Sequence, residues 1–138
     1  LPPKTVLTPH YYEFSKLFNI NIDILKNNPI ETVQGIIEKL ESRALILKGK
    51  TNIIVNTKGE ILLINHGDRT LAKAGTGDVL SGILASLISQ GYSIDDAILY
   101  STFVHAECVH QYKYQKSSKG LIASDLIDML PLSLEQVK

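Results

Sequence analysis

Apolar and polar positions fall in blocks along the chain, and the period within each block switches between extended runs and helical stripes. Lys4 to Thr8 (KTVLT) reads as a short strand closed by Pro9, and HYYEFSKLF then sets Phe14, Leu17 and Phe18 on one helical face. Asn28-Pro29 opens a second helix through Leu40. Proline is tolerated in a first turn, and Ile30, Val33, Ile36, Ile37 and Leu40 form one stripe. ALILK, residues 44–48, is apolar without alternation, the pattern of a strand buried on both faces. NIIVN and EILLIN follow, with Thr57-Lys58-Gly59 between them as a hairpin turn. Residues 65–75 are a polar loop. Helices are predicted from Thr76 to Gln90, from Ser93 to Tyr114 and, shorter, from Ser124 to Leu130, where Pro131 stops the pattern. Strands interleaved with helices make this an α/β chain with a helix-covered sheet.

Composition narrows the range of partners. With 138 residues, 44% hydrophobic and 20% charged, the chain falls in the range of one globular domain. The formal net charge is zero and the basic residues are scattered, so nucleic acid and anionic membrane are not expected partners. No apolar run reaches the roughly 18 residues of a membrane span. One cysteine, Cys108, excludes an internal disulfide framework and suits a reducing, cytoplasmic setting. LPPKTVLTP offers neither an initiator methionine nor the regions of a signal peptide, so an internal cut is expected there.

The stretch carrying most chemistry is KAGTGDVLSG, residues 73–82. A helix N-terminus presents unpaired backbone N–H groups and the positive end of the helix dipole, so Gly75, Thr76 and Gly77 can form an anion hole that phosphate oxygens approach unobstructed. Asp78 follows in the first turn, placed to take a proton from a hydroxyl as that oxygen attacks phosphorus. On spacing alone, the same residues read equally well as Thr76 capping a helix and Asp78 complementing its dipole.

GTGD before an apolar helix resembles the ribokinase-like signature. TPHYYEF at 8–14, LKGKTNIIV at 47–55, LAKAGTGDVLSGILASLISQG at 71–91 and GLIASDLIDMLP at 120–131 narrow the resemblance to the NAD(P)H-hydrate dehydratases. The resemblance implies a three-layer α/β/α ribokinase-like fold. Residues 1–138 would be the C-terminal half of the catalytic domain, its N-terminal portion absent. It implies repair of NADH or NADPH that has added water: a nucleotide phosphorylates the hydroxyl, and phosphate then departs. Asp78 would contact the hydrated ring and act as base, and His10 would lie against that substrate. Lys48, Gly49, Lys50, Thr51 and Asn52 would hold the adenosine phosphate, and Gly77 would touch the nucleotide. Glu13 resembles the acid that orders Mg2+ through water in related kinases. Expected partners are NADHX or NADPHX and ADP, with association into a homo-oligomer or with the missing half. ADP is preferred to ATP because the Lys-, Asn- and Ile-rich sequence looks bacterial. A ribokinase-like sugar or vitamin-precursor kinase and an inactive nucleotide-binding half-domain are the alternatives.

The chain departs from the family pattern at Tyr11-Tyr12, where a small Pro-Gly pair is usual; these rings would narrow a pocket or stack on a ligand. On residue type alone, His10 and Glu13 also read as a capping histidine and a dipole-stabilising glutamate, and KGKTN as a polar hairpin entry with a solvated lysine. His105, Cys108 and His110 share a helix but lack a further ligand cluster, so Ile94, Ile98, Val104, Cys108 and Val109 are read as a core stripe and no zinc site is expected there. Arg69 is read as solvated, and Ser124-Asp125 as an N-cap followed by a first-turn acid.

Overall fold

A computed structural model of the chain describes residue 2 and residues 4–137. It divides into two compact units, residues 1–65 and 66–138.

The first unit holds the sheet. Its strands are β1 (Val6–Leu7), β2 (Ala44–Leu47), β3 (Asn52–Val55) and β4 (Ile61–Ile64), in that spatial order. β1 is parallel to β2, and β2, β3 and β4 are successively antiparallel. β1 is shorter than KTVLT suggests because Lys4 sits in the left-handed region at φ 67° and turns the chain just before it. The predicted hairpin turn is present. Asn56 Oδ1 accepts from the amides of Lys58 and Glu60 at 3.0 and 2.9 Å, and Gly59 takes the positive φ of 81° that the turn requires.

Helices α1 (Tyr11–Phe18), α2 (Ile22–Asn27), α3 (Pro29–Gln34) and α4 (Ile37–Leu40) complete this unit. α2 was not expected; Asn21 starts it by accepting from the Asp23 amide at 2.8 Å. The single helix expected from Pro29 to Leu40 is broken at Gly35 and Ile36, where glycine is a poor helix former and Ile36 leaves helical geometry at ψ 1°. Its stripe still serves the core: Val33, Ile36 and Leu40 pack with Phe14, Leu25, Leu45, Leu47, Ile53 and Val55. Ile30 is exposed instead. Ile46 and Ile54 pair across β2 and β3 at the alternate positions and are fully buried, so the central strands are buried on both faces, as ALILK predicts.

The second unit is helical. After a 3₁₀ turn at Arg69–Leu71, within the stretch expected to be loop, come α5 (Thr76–Ser89), α6 (Ile94–Gln115), a second 3₁₀ turn at Ser118–Gly120 and α7 (Ala123–Glu135). Ser93 caps α6 by accepting from the Asp96 amide at 3.1 Å. Ile98, Val104, Cys108 and Val109 form the expected buried stripe, and burial pushes the Cys108 thiol up, away from nucleophilic chemistry. Two expectations fail in α7. Ser124 lies inside the helix rather than capping it, and Asp125 takes up the Ile122 amide at 2.8 Å. The helix also runs through Pro131 instead of ending before it. Pro131 and Ile127, whose carbonyl loses its partner, are both exposed, so water can satisfy that oxygen.

Candidate functional site

In the first unit, two of the sequence segments meet. His10 and Lys48 form a parallel bridge beyond the ends of β1 and β2, and the Lys48 amide donates to the Pro9 carbonyl at 2.9 Å. TPH and KGKTN therefore share the carboxyl edge of the parallel pair, where α/β sheets place ligands. KGKT is the loop joining β2 to β3. Asn52 is buried and folds into this loop, its Oδ1 accepting from the Gly49 amide at 3.1 Å. Thr51 Oγ1 donates to Asn65 Oδ1 at 3.2 Å, while Gly49 and Lys50 are exposed and Lys48 is half-buried.

His10 and Glu13 take the capping geometry. His10 Nδ1 accepts from the Glu13 amide at 3.2 Å, and Glu13 Oε2 accepts from the His10 amide at 2.8 Å. Because Nδ1 accepts, the neutral ring carries its proton on Nε2, which lies 3.4 Å from Glu13 Oε1. Tyr11 is half-buried and packs over Gly49, where an added Cβ would meet its ring at 2.9 Å; burial pushes its phenol up. Tyr12 is exposed, with the Lys16 ammonium 5.3 Å above its ring. Of the two expectations for these tyrosines, Tyr11 narrows the space beside the loop and Tyr12 stands in solvent.

In the second unit, the turn before α5 is fixed from three directions. Gly75 is the N-cap in the left-handed region at φ 84°, and an added Cβ would come within 3.0 Å of the Ala123 side chain. Thr76 is buried inside the first turn and caps nothing, contrary to the reading of it as N-cap. Its hydroxyl points back to the Leu71 and Lys73 carbonyls at 2.5 and 2.8 Å. Lys73 extends its ammonium to three carbonyls of the α6–α7 connection, Ser118, Lys119 and Leu121, at 3.3, 3.2 and 2.7 Å. His105 Nε2 meets the Thr76 carbonyl at 2.7 Å. A carbonyl only accepts, so that nitrogen carries the proton.

This frame leaves specific groups free. The amides of Thr76 and Asp78 turn to the Lys73 and Gly75 carbonyls at 3.3 and 3.1 Å, whereas those of Gly75 and Gly77 have no partner among the described residues. Asp78 is exposed in the first turn of α5, and its carboxylate has no hydrogen-bond or ion-pair partner among the described residues. It borders a groove of about 430 Å³ between α5 and α7, lined also by Gly82, Ile83, Leu87, Ile127 and Leu130. Lys73 and His105 went unnoticed as supports, because neither spacing nor composition reports a bond to a backbone carbonyl. Arg69 is exposed, as expected.

Residues 2–132 match the NAD(P)H-hydrate dehydratase family of carbohydrate kinase-like proteins. The chain belongs to this family. It is 36% identical to the bifunctional NAD(P)H-hydrate repair enzyme Nnr of Dictyoglomus turgidum, over 96% of this chain and 26% of that protein. The structure is similar to the ADP/ATP-dependent NAD(P)H-hydrate dehydratase of Bacillus subtilis, crystallised with ATP and Mg2+. That likeness has a TM-score of 0.89 and 27% identity, over 96% of this chain and 49% of the other. A ribokinase-like superfamily protein of Enterococcus faecalis matches with a TM-score of 0.80 and 24% identity, over 97% of this chain and 45% of its own. The fold is the expected ribokinase-like α/β class. The chain spans about a quarter to a half of the length of these relatives. Among the described residues no helix is long and apolar enough to cross a membrane.

Proposed function

We propose that residues 1–138 are the C-terminal portion of a nucleotide-dependent dehydratase that restores hydrated NADH or NADPH in the cytoplasm, and that they supply its base and its phosphate-binding turn. The observation carrying this reading is the first turn of α5. An unpartnered carboxylate, Asp78, stands there beside two unengaged amides, Gly75 and Gly77, on a turn that cannot easily shift. Chemistry that develops charge on a phosphoryl group needs preorganised donors, and a hydroxyl nucleophile needs a base free to take its proton.

Asp78 takes the proton of the ring hydroxyl as that oxygen attacks the terminal phosphorus of ADP. The bond from that phosphorus to the AMP oxygen breaks. The Gly75 and Gly77 amides meet charge on the transferring group. The carbon–oxygen bond to the new phosphate then breaks and the adjacent ring carbon loses a proton, re-forming the ring double bond. Hydrated cofactor and ADP thus give repaired cofactor, AMP and inorganic phosphate.

For the first unit we propose a separate contribution. Lys48, Lys50 and the backbone of Gly49 and Thr51 take the adenosine phosphate, and His10 contacts the hydrated cofactor. Asn52, whose carbonyl oxygen already closes the loop, acts by shaping it. Glu13 fits a water-bridged Mg2+ better than a direct one: Oε2 already holds the His10 amide, while the exposed side chain remains open to water. When bound, Mg2+ supplies positive charge that neutralises the phosphates. The Bacillus subtilis relative crystallised with ATP and Mg2+ supports the nucleotide and the metal ion. ADP is the proposed donor, in a homo-oligomer.

The test is turnover. Hydrated NADH is mixed with ADP or ATP and with either this chain or the longer protein containing it, and repaired cofactor is followed by absorbance. Repair by the longer protein with ADP supports the reading, and no repair with either nucleotide overturns it. The partial length favours one second reading, a nucleotide-binding portion inactive by itself. ADP binding without turnover by this chain, beside turnover by the longer protein, would establish that version.

A further inference from the structure

A cluster in the second unit lies outside the chemistry proposed above. His66, from the segment leading into the first 3₁₀ turn, meets Glu107 and His110, three residues apart on one face of α6. One ligand atom from each lies within 4.8 Å of the others, and all three residues are half-buried. His66 Nε2 is 3.0 Å from Glu107 Oε2. Gln111 Nε2 donates to the other Glu107 oxygen at 2.7 Å, which orients the carboxylate.

The His66 ring packs against two rings of α6. It stacks on Phe103 with centroids 4.7 Å apart and on His110 at 4.5 Å. Its segment is also tied to α6 independently of the cluster, because Asp68 pairs with the Lys113 ammonium and accepts from the Thr70 amide at 2.8 Å. Burial pushes the Asp68 carboxyl up, but Lys113 and Thr70 outweigh it and hold the group down at about 2.

We propose that His66, Glu107 and His110 bind a borderline divalent transition-metal ion, of which Zn2+ is the probe. Two imidazoles and one carboxylate suit Zn2+, Ni2+ or Co2+, whereas Mg2+ prefers an all-oxygen set. Three protein ligands leave a position for water. The ion replaces the proton between His66 and Glu107. Zinc holds nitrogen and oxygen at about 2.0–2.2 Å, which sets tetrahedral ligand atoms about 3.4 Å apart, so the His66–Glu107 pair opens slightly, wider separations close by up to about 1.4 Å, and the stacked rings turn until each nitrogen faces the ion. The sequence alone gave no such set, because His66 lies 41 residues from Glu107.

The experiment is a calorimetric Zn2+ titration of the metal-free chain in a non-chelating buffer with excess Mg2+. One site per chain is expected with a Kd of roughly 10 µM or tighter, weakened at least about 10-fold in His66→Gln, His110→Gln and Glu107→Gln. Glu107→Gln keeps the volume and an oxygen for His66, so it tests the ligand set with the fold preserved. Cys108→Ser should bind as the parent does. Co2+ on the unaltered chain should give the strong visible bands of a four- or five-coordinate ion. No one-to-one binding, equal affinity in all three variants, loss in Cys108→Ser, or only the pale spectrum of hydrated Co2+ would each overturn the site.

Discussion

Replacing Lys73 by methionine tests how firmly the turn before α5 is held. The substitution keeps most of the side-chain volume and removes an ammonium that donates to the Ser118, Lys119 and Leu121 carbonyls. A hydrogen bond involving a charged group contributes about 1.5–3 kcal/mol, but water replaces a lost partner at an exposed carbonyl. Ser118 is half-exposed and Lys119 exposed, so those two contacts contribute little. Leu121 is buried, its contact is the shortest at 2.7 Å, and its carbonyl would be left with a poorer partner. The expected loss is therefore about 2 kcal/mol, dominated by Leu121. For a chain of this size that lowers the melting temperature by roughly 5–10 °C. Because Lys73 also accepts the Thr76 hydroxyl through its carbonyl, ADP affinity should fall in the same variant while the helical content of α5 persists. Thermal melts by circular dichroism and ADP titration of the longer protein give both quantities. A Lys73→Met protein melting within about 1 °C of the parent, with unchanged ADP affinity, would show that the three carbonyl contacts do not hold the turn.

Asp78→Asn should change stability by no more than about 1 kcal/mol, since the carboxylate is exposed and meets only the helix dipole, while cofactor repair by the longer protein falls roughly 10²-fold or more. Repair at the parental rate would remove Asp78 as the base. Gly75→Ala should cost about 1–3 kcal/mol in urea unfolding, because the left-handed φ of 84° and the Ala123 side chain 3.0 Å away both penalise a Cβ; a neutral result would mean the turn relaxes freely. Pro131→Ala should raise the stability of α7 by about 1 kcal/mol by restoring a helical N–H, less than the full proline penalty because the unfolded chain also gains freedom. Denaturant midpoints check this, and a destabilised Pro131→Ala would mean the ring packs usefully where it is.

Elements with strong periodicity were legible from sequence: α5, α6, the buried strand ALIL and the hairpin beyond it lie within a residue or two of expectation. The misses share a cause. Gly35 broke a helix whose apolar stripe was intact, and Pro131 failed to stop one, because the stripe reports which face is buried and not where the hydrogen-bond ladder is interrupted. The site behaved likewise. GTGD could be read as a turn before a helix, but Thr76 pointing backward, Lys73 gathering three carbonyls and His105 reaching the Thr76 carbonyl are contacts between residues up to 48 positions apart. Periodicity carries no record of such pairs.

The capping geometry at α1 constrains the chemistry more than a list of site residues would. His10 uses Nδ1 to accept the Glu13 amide, so its neutral ring can offer a ligand only the Nε2 proton or a ring face. It can donate to a hydroxyl oxygen but cannot take that hydroxyl's proton unless the cap opens. Glu13 is restricted less: Oε2 accepts from the His10 amide, while Oε1 lies beside the His10 ring and stays open to water. Glu107 and Asp68, among the other acids, already accept hydrogen bonds from His66, Gln111, Thr70 and Lys113. Asp78 differs in having a first-turn position, free amides beside it and no partner of its own. His10 spends on capping the one ring lone pair its neutral form has, and a base must keep one available. Of the acids compared, Asp78 is the one that fits the proposed general base, and the role proposed for His10 is then to position substrate as a donor.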